Sequence, residues 1–462
     1  MILRRTIMPI NTYQEALDYL YSFIDYSLTK NLRYSQEKFN LDRMKKFMDL
    51  MGNPQEDFKI IHVAGTKGKG SICALTASIL IEAGYKTGFY SSPHMIDVTE
   101  RFRIGNNLIT HNEIIRYVNL INKYVEEIDE ISTFEIMTGL AFKYFSDKHV
   151  DIAVIEVGMG GRLDATNVVN PTITAISSIS LDHTKILGKT ISQIAFEKAG
   201  IIKDGIPAVS ARQKKPADFV IRRVANEKKA PFISVKDNCT YQIIDKGLDW
   251  QHVYITCKDM GKINPSKNIR TQPIYNLTIP LLGEHQIENV MVSILMVQEL
   301  QKIGWKISND AIALGIKNVK WPGRFEILNR QPLVIIDGAH NLNSFQKLRK
   351  TIKDYLPGKK ITLIFGVSED KQVKLMLRSI MDVVDRLIIT KSEHPRALET
   401  LIIRKIADEV GYRKIEIIEN IDSAIKKVFY SAKDDEIILA SGSLFIAGAV
   451  RDILSKDISY GS

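Results

Sequence analysis

The sequence predicts an α/β protein built in two parts: an N-terminal P-loop-type parallel-sheet domain with a small antiparallel insertion, and a C-terminal Rossmann-like α/β domain. Three observations predict it. An apolar strand near residue 60 runs through a glycine-rich turn into a helix, strand-like and helix-like runs alternate in two series, and a period-two stretch between residues 240 and 282 separates them.

In chain order, an amphipathic N-terminal region precedes the strand candidates Ile60–Ala64, Lys86–Ser91, Asp151–Val157 and Thr172–Ser178. These alternate with helix-compatible stretches, the order of βαβ units on a parallel sheet. The runs Thr240-Tyr-Gln-Ile-Ile, Trp250-Gln-His-Val-Tyr-Ile-Thr-Cys and Tyr275-Asn-Leu-Thr-Ile-Pro-Leu alternate apolar and polar residues, which predicts an antiparallel insertion. Beyond Trp321-Pro-Gly323 come Leu333–Ile336, Ile361–Phe365, Arg386–Thr390, Lys414–Ile418 and Glu436–Ala440, separated by helical patterns. They define a second doubly wound domain of typical size. The division falls at residues 1–320 and 321–462, and the linker Asn318–Gly323 places a cleft between the two parts, a common location for small-molecule sites.

A chain of 462 residues, 45% hydrophobic and 25% charged, has the composition of a soluble globular protein with room for two or three domains. No apolar run approaches the ~20 residues that cross a bilayer. Met1-Ile-Leu-Arg-Arg-Thr-Ile-Met-Pro9 lacks the apolar stretch and cleavage site of a signal peptide, so the expected location is the cytoplasm. Cys73, Cys239 and Cys257 have neither metal-ligand nor redox spacing and read as reduced thiols, with Cys73 packed behind the glycine-rich turn. The net charge of +10 suits a nucleic acid, a nucleotide or a carboxylate-rich substrate. Stretches such as Lys347-Leu-Arg-Lys-Thr-Ile-Lys353 carry no interleaved aromatics and read as solvated helix faces, which makes nucleic acid the weaker reading.

The chemistry is concentrated at strand ends. Gly65-Thr-Lys-Gly-Lys-Gly-Ser71 follows an apolar strand and opens a helix, the arrangement of a nucleotide-phosphate cradle and hence of an ATPase-type domain. Gly65, Gly68 and Gly70 let backbone N–H groups approach phosphate oxygens, Lys69 adds charge near the β- and γ-phosphates, and Ser71 can ligate Mg²⁺. The turn is one residue tighter than GxxxxGK[ST], which points away from the common GTPases and ATPases. Glu156 ends a buried strand ahead of a glycine-rich turn, where an acidic residue holds Mg²⁺ in phosphate-loop enzymes. Arg162, Asp164 and Asn167 follow as a polar cluster. His183, after Asp182, falls at the same sheet edge, although Mg²⁺ prefers oxygen ligands. Lys198 by itself reads as an ordinary helix lysine.

Together these strings resemble the folylpolyglutamate synthase and dihydrofolate synthase family, within the ATP-dependent ligases that include the muramyl-peptide ligases. The resemblance covers almost the whole chain: His62-Val-Ala-Gly-Thr-Lys-Gly-Lys-Gly-Ser71, Ser91-Ser-Pro-His94, Glu156-Val-Gly-Met-Gly-Gly-Arg-Leu-Asp-Ala-Thr-Asn167, Leu181-Asp-His183, Glu197-Lys-Ala-Gly-Ile201, His285-Gln286 with Asn289, Pro322-Gly-Arg324, Asp337-Gly-Ala-His-Asn341 and Ser441-Gly-Ser-Leu444. It implies that Gly65, Thr66, Gly68, Lys69, Gly70 and Ser71 hold ATP phosphates, with Asn289, Arg324 and Asp337 at the rest of the nucleotide. It also implies two Mg²⁺ sites, one served by Ser71, Ser92 and Glu156 and one by His183 and a carbamylated Lys198. Lys69, His183, Lys198 and Arg324 are the implied catalytic group. His340 and Ser443 fall near an incoming L-glutamate, and Arg162 and Asp164 face the pterin-bearing substrate or its neighbouring loop.

The implied reaction is ATP-dependent addition of L-glutamate to dihydropteroate or reduced folates, by a monomer with small-molecule partners only and no nucleic acid or membrane. Two departures stand out. Lys67 replaces a frequent Asn and adds positive charge near the phosphates, and Phe445 replaces a frequent Tyr and removes a hydroxyl. A muramyl-peptide-type amino-acid ligase is the near alternative, and a nucleotide-switched RNA-binding protein the distant one.

Overall fold

A computed structural model describes residues 9–24, 40–258, 274–433 and 435–458. The N-terminal segment read for a signal peptide lies almost wholly outside them.

The first sheet has eight strands, in the spatial order Asn107–Leu108, Phe102–Ile104, Thr87–Tyr90, Ile152–Glu156, Lys59–Ala64, Ile173–Ile176, Ala208–Ser210 and Phe232–Ser234. The last six in that order run parallel, and the first two form an antiparallel edge. Lys59–Ala64 is central and, from Ile60 on, buried on both faces, as parallel strands are, which is why its sequence is apolar apart from Lys59 and His62. Ile61 and Val63 pack in one core with helices Lys69–Glu82 and Glu284–Lys302, while Ile60 packs in another with His111–Val125 and Thr133–Asp147.

The insertion has the predicted antiparallel form, with Gln251–Cys257 between Ile274–Ile279 and Cys239–Lys246. Its alternation buries Val253 and Ile255 in the core behind the phosphate turn. The expectation of three reduced thiols fails here. Cys239 lies opposite Cys257 in the ladder and the two are joined as a disulfide, whereas Cys73 is buried and free. A hairpin centred between the two residues imposes that register, which linear spacing does not reveal.

The second large sheet has six strands, in the order Glu326–Arg330, Leu333–Ile336, Glu436–Ser441, Lys360–Phe365, Arg386–Lys391 and Ile415–Asn420. All but the first are parallel. It has cores of its own on both faces, and the five strands read from sequence match it within two residues. The unread strands are short edge or near-edge segments. Among the described residues no helix is long and apolar enough to cross a membrane.

Candidate active site

Strand ends determine where the chemistry collects. After Ala64 the chain turns through Gly65 at φ 141° and Gly68 at φ 95°, both left-handed-side values that favour glycine, and enters the helix Lys69–Glu82. A Cβ on Gly65 would overlap Ser177, and one on Gly68 would lie 2.5 Å from Asn289 Oδ1. The first helical turn therefore presents bare N–H groups and a positive dipole end, suited to an anion. Thr66 ties the turn to the neighbouring strand end: its N–H donates to Ser178 O at 3.1 Å, and its hydroxyl accepts from Ser180 N–H at 3.2 Å.

One cleft of about 1180 Å³ runs from this turn across to the second sheet. It is lined by every sequence-derived site residue except Arg162. Glu156 is buried there, with Lys69 Nζ at 3.6 Å and the Ser92 N–H donating at 3.3 Å. Burial pushes its carboxyl up, while Lys69 and the Ser92 N–H oppose the shift.

Lys198, 5% exposed, donates to Gly65 O at 2.8 Å. Its helix Ile191–Ala199 starts on a Thr190–Gln193 capping box, which sets which side chain reaches the turn. Burial, with Lys69 adding to it, lowers the ammonium to about 7. A lysine there has a substantial neutral fraction at physiological pH.

From the second sheet come Arg324, Asp337, His340 and Ser443. Asp337 accepts from the Phe325 and Ala339 N–H groups at 2.9 and 2.8 Å, which locks the turn carrying His340. Phe445 stacks on His394 with ring centroids 4.3 Å apart, so the residue without a hydroxyl is held by an aromatic contact.

Arg162 and Lys67 are placed otherwise than expected, and Asp164 takes a specific local role. Arg162 turns away from the cleft: it pairs with Glu197 Oε1 at 3.0 Å and lies over the Phe196 ring, because its backbone is bonded to Glu197 O. Asp164 lines the cleft, but its carboxylate accepts from the Met159 and Thr166 N–H groups and the Thr166 hydroxyl, and so orders the glycine-rich turn. Lys67 reaches Asp182 Oδ2 at 2.9 Å and His340 Nε2 at 2.8 Å rather than remaining beside the phosphate turn. Sequence reasoning also passed over Arg43 and Glu135, an ion pair at 3.2 Å on the cleft wall, and Lys371. The Ser132-x-x-Glu135 capping box was the available signal for Glu135.

Among the described residues no three His, Cys, Asp or Glu side chains gather as a metal cluster. The donors beside the phosphate turn are the Ser71 and Ser92 hydroxyls and the Glu156 carboxylate, all lining the cleft. That sparse, all-oxygen set fits Mg²⁺, which keeps several waters and takes phosphate oxygens as ligands.

Two family models match the chain: the Mur ligase middle domain over residues 63–297, and the Mur ligase glutamate ligase domain over residues 323–444. A dihydrofolate synthase/folylpolyglutamate synthase of Bacillus subtilis is 35% identical over 95% of this chain and 98% of its own length. A folylpolyglutamate synthase structure from Thermotoga maritima superposes with a TM-score of 0.80 at 32% identity, covering 96% of this chain and 97% of that one. Escherichia coli FolC, solved with DHPP and ADP, gives a TM-score of 0.84 at 27% identity over 98% of this chain and all of the other.

Proposed function

Because the chain belongs to the dihydrofolate synthase/folylpolyglutamate synthase family of Mur ligases, we infer that it is an ATP-dependent ligase joining L-glutamate to dihydropteroate and reduced folates, with ADP and phosphate as products. One observation carries the reading to these residues. Lys69, Glu156 and Lys198 at the phosphate turn face Arg324, Asp337 and His340 across a single cleft.

A carboxylate resists attack by an amine because its carbon is shielded by negative charge and its oxygen leaves poorly. Transfer of the ATP γ-phosphoryl group to that carboxylate forms an acyl phosphate and ADP. The glutamate amine, once deprotonated, adds to the carbonyl and phosphate departs with the C–O electron pair. Lys69, the helix N-terminus and Arg324 offset charge on the transferring group and hold it in line. Asn289 and Asp337 take the remainder of the nucleotide, and His340 and Ser443 lie at the amino-acid end. Closure of the two walls over the substrates would keep out water, which would otherwise hydrolyse the acyl phosphate.

Ser71, Ser92 and Glu156 would hold one Mg²⁺, and His183 with a carbamylated Lys198 a second. The metal would supply positive charge to the phosphate oxygens. A lysine amine is a poor Mg²⁺ ligand. The partly neutral Lys198 can add CO₂, which replaces the ammonium by an oxygen anion. Asp164 is assigned to the pterin side as an organiser of the Gly158–Gly161 turn, with Arg162 supporting it through Glu197. Residues 1–320 and 321–462 are assigned as the two domains of a cytoplasmic monomer acting on small molecules alone.

The test is ADP release by purified protein with ATP and Mg²⁺, with glutamate and either dihydropteroate or tetrahydrofolate, and product mass as confirmation. Turnover that requires both glutamate and a pterin is expected. ADP release at one rate regardless of both additions would overturn the ligase.

A further inference from the structure

Lys67 stands in the phosphate turn, yet its side chain serves the opposite wall. Its backbone is held in place by N–H donation to Ser178 O at 3.1 Å. Its ammonium then meets Asp182 Oδ2, on its own side of the cleft, at 2.9 Å and reaches His340 Nε2, on the other, at 2.8 Å. The His340 Nδ1 atom lies 2.9 Å from Gly338 O, an acceptor only, so Nδ1 carries the proton. Nε2 then has its lone pair toward Lys67, which is a pure donor. The lysine thus selects one tautomer and one ring orientation of His340.

Asp182 is also held from the His340 side, since Asn341 Nδ2 donates to its Oδ2 at 2.8 Å and Lys371 Nζ lies 3.9 Å from its Oδ1. Two of the three Lys67 N–H donors are used by Asp182 and His340. The third remains for the cleft, and Lys67 is among the residues lining it.

We propose that Lys67 is a residue of the amino-acid site rather than of the nucleotide site: it presets His340, ties the phosphate turn to the wall that receives glutamate, and offers its remaining donor to a glutamate carboxylate. The proposal rests on the ligase reading above. It gives the replacement of a frequent Asn by lysine a role, since the longer side chain carries a charge to both Asp182 and His340.

The test is steady-state kinetics of Lys67→Met and Lys67→Arg with folate substrate, varying glutamate and ATP separately. Lys67→Met should raise KM for glutamate by ~10-fold or more, the size of a charge-assisted hydrogen bond, with KM for ATP within ~3-fold of wild type. Lys67→Arg, which keeps charge and donors, should recover part of the loss. In a His340→Ala background Lys67→Met should add much less to the glutamate KM than it does alone, because the two residues act as a unit. An increase confined to KM for ATP, an equal increase in both, or no change would overturn the proposal while wild-type glutamate-dependent turnover still stands. Wild-type protein with no glutamate-dependent turnover would overturn the ligase reading and this proposal together. Melting temperature, measured alongside, identifies a variant that fails to fold, in which case Lys67→Arg alone decides the outcome by whether its KM for glutamate rises selectively.

Discussion

Lys198 Nζ donates to the backbone carbonyl of Gly65 at 2.8 Å, which ties a helix to the first residue of the phosphate turn across 133 positions of sequence. The contact places a buried amine, lowered to about 7 chiefly by burial, against the group that cradles phosphate. The proposed carbamate rests on the family resemblance, and the lowered proton affinity of this amine is compatible with it.

Lys198→Ala should therefore lower kcat by ~10²-fold or more, the scale of losing one preorganised electrostatic group. Wild-type enzyme stripped of CO₂ should lose rate and regain it with bicarbonate. A variant with wild-type kcat, or an enzyme indifferent to bicarbonate, would count against the carbamate.

Gly68→Ala should impair nucleotide binding, because the added Cβ would lie 2.5 Å from Asn289 Oδ1 in a residue with φ at 95°. We expect KM for ATP to rise ~10-fold or more. Gly205→Ala is the comparison: φ is 72° but nothing lies within 4 Å of the new methyl. It should cost only the left-handed backbone strain, ~1–2 kcal/mol of stability, with KM for ATP unchanged. Equal kinetic effects in the two variants would contradict the cradle.

Acid should destabilise the fold through histidines buried in the neutral form. Burial lowers His62 and His285 to about 3 each from the ordinary value of 6.5. Between those limits the unfolded chain binds protons that the native protein excludes, so stability is complete above 6.5 and falls as pH drops toward 3. Lowering pH from 6.5 to 5 should cost about 2 kcal/mol for each histidine, read from urea midpoints. His62→Gln should remove its share of the slope, and an unchanged slope would refute the assignment. The His62 Nε2 atom contacts the Thr166 hydroxyl at 2.8 Å, so the variant also tests support of the Asp164 turn.

Reduction of Cys239–Cys257, which closes a separation of 18 residues, should lower stability by about 3 kcal/mol in the chain-entropy account. The disulfide lies in the insertion, outside the cleft lining, so KM for ATP should stay constant under reductant. Alkylation that modifies all three cysteines of the native protein without reductant would refute the pairing.

Several strands were legible because a strand buried on both faces needs a run of apolar residues, as in Ile60–Ala64 and Ile361–Phe365. Phe102–Ile104, Asn107–Leu108, Ala208–Ser210 and Phe232–Ser234 were not, since segments of two or three residues carry too little pattern and depend on neighbours for pairing. Glycine placement and the Lys69–Ser71 step were legible for a local reason: the phosphate turn is a property of consecutive backbone dihedrals.

The sequence by itself determined the two-part α/β architecture, the cradle, the antiparallel insertion and, through ordered strings from both parts, the family. Tertiary structure decided where charge goes. It turned Arg162 onto Glu197, committed the Asp164 carboxylate to its own turn, drew Lys198 to Gly65, sent Lys67 to Asp182 and His340, and paired Cys239 with Cys257. Apart from Asp164, whose partners are local, each of these depends on the distance between groups on separate elements, and a long flexible side chain takes its partner from packing rather than from its neighbours in sequence.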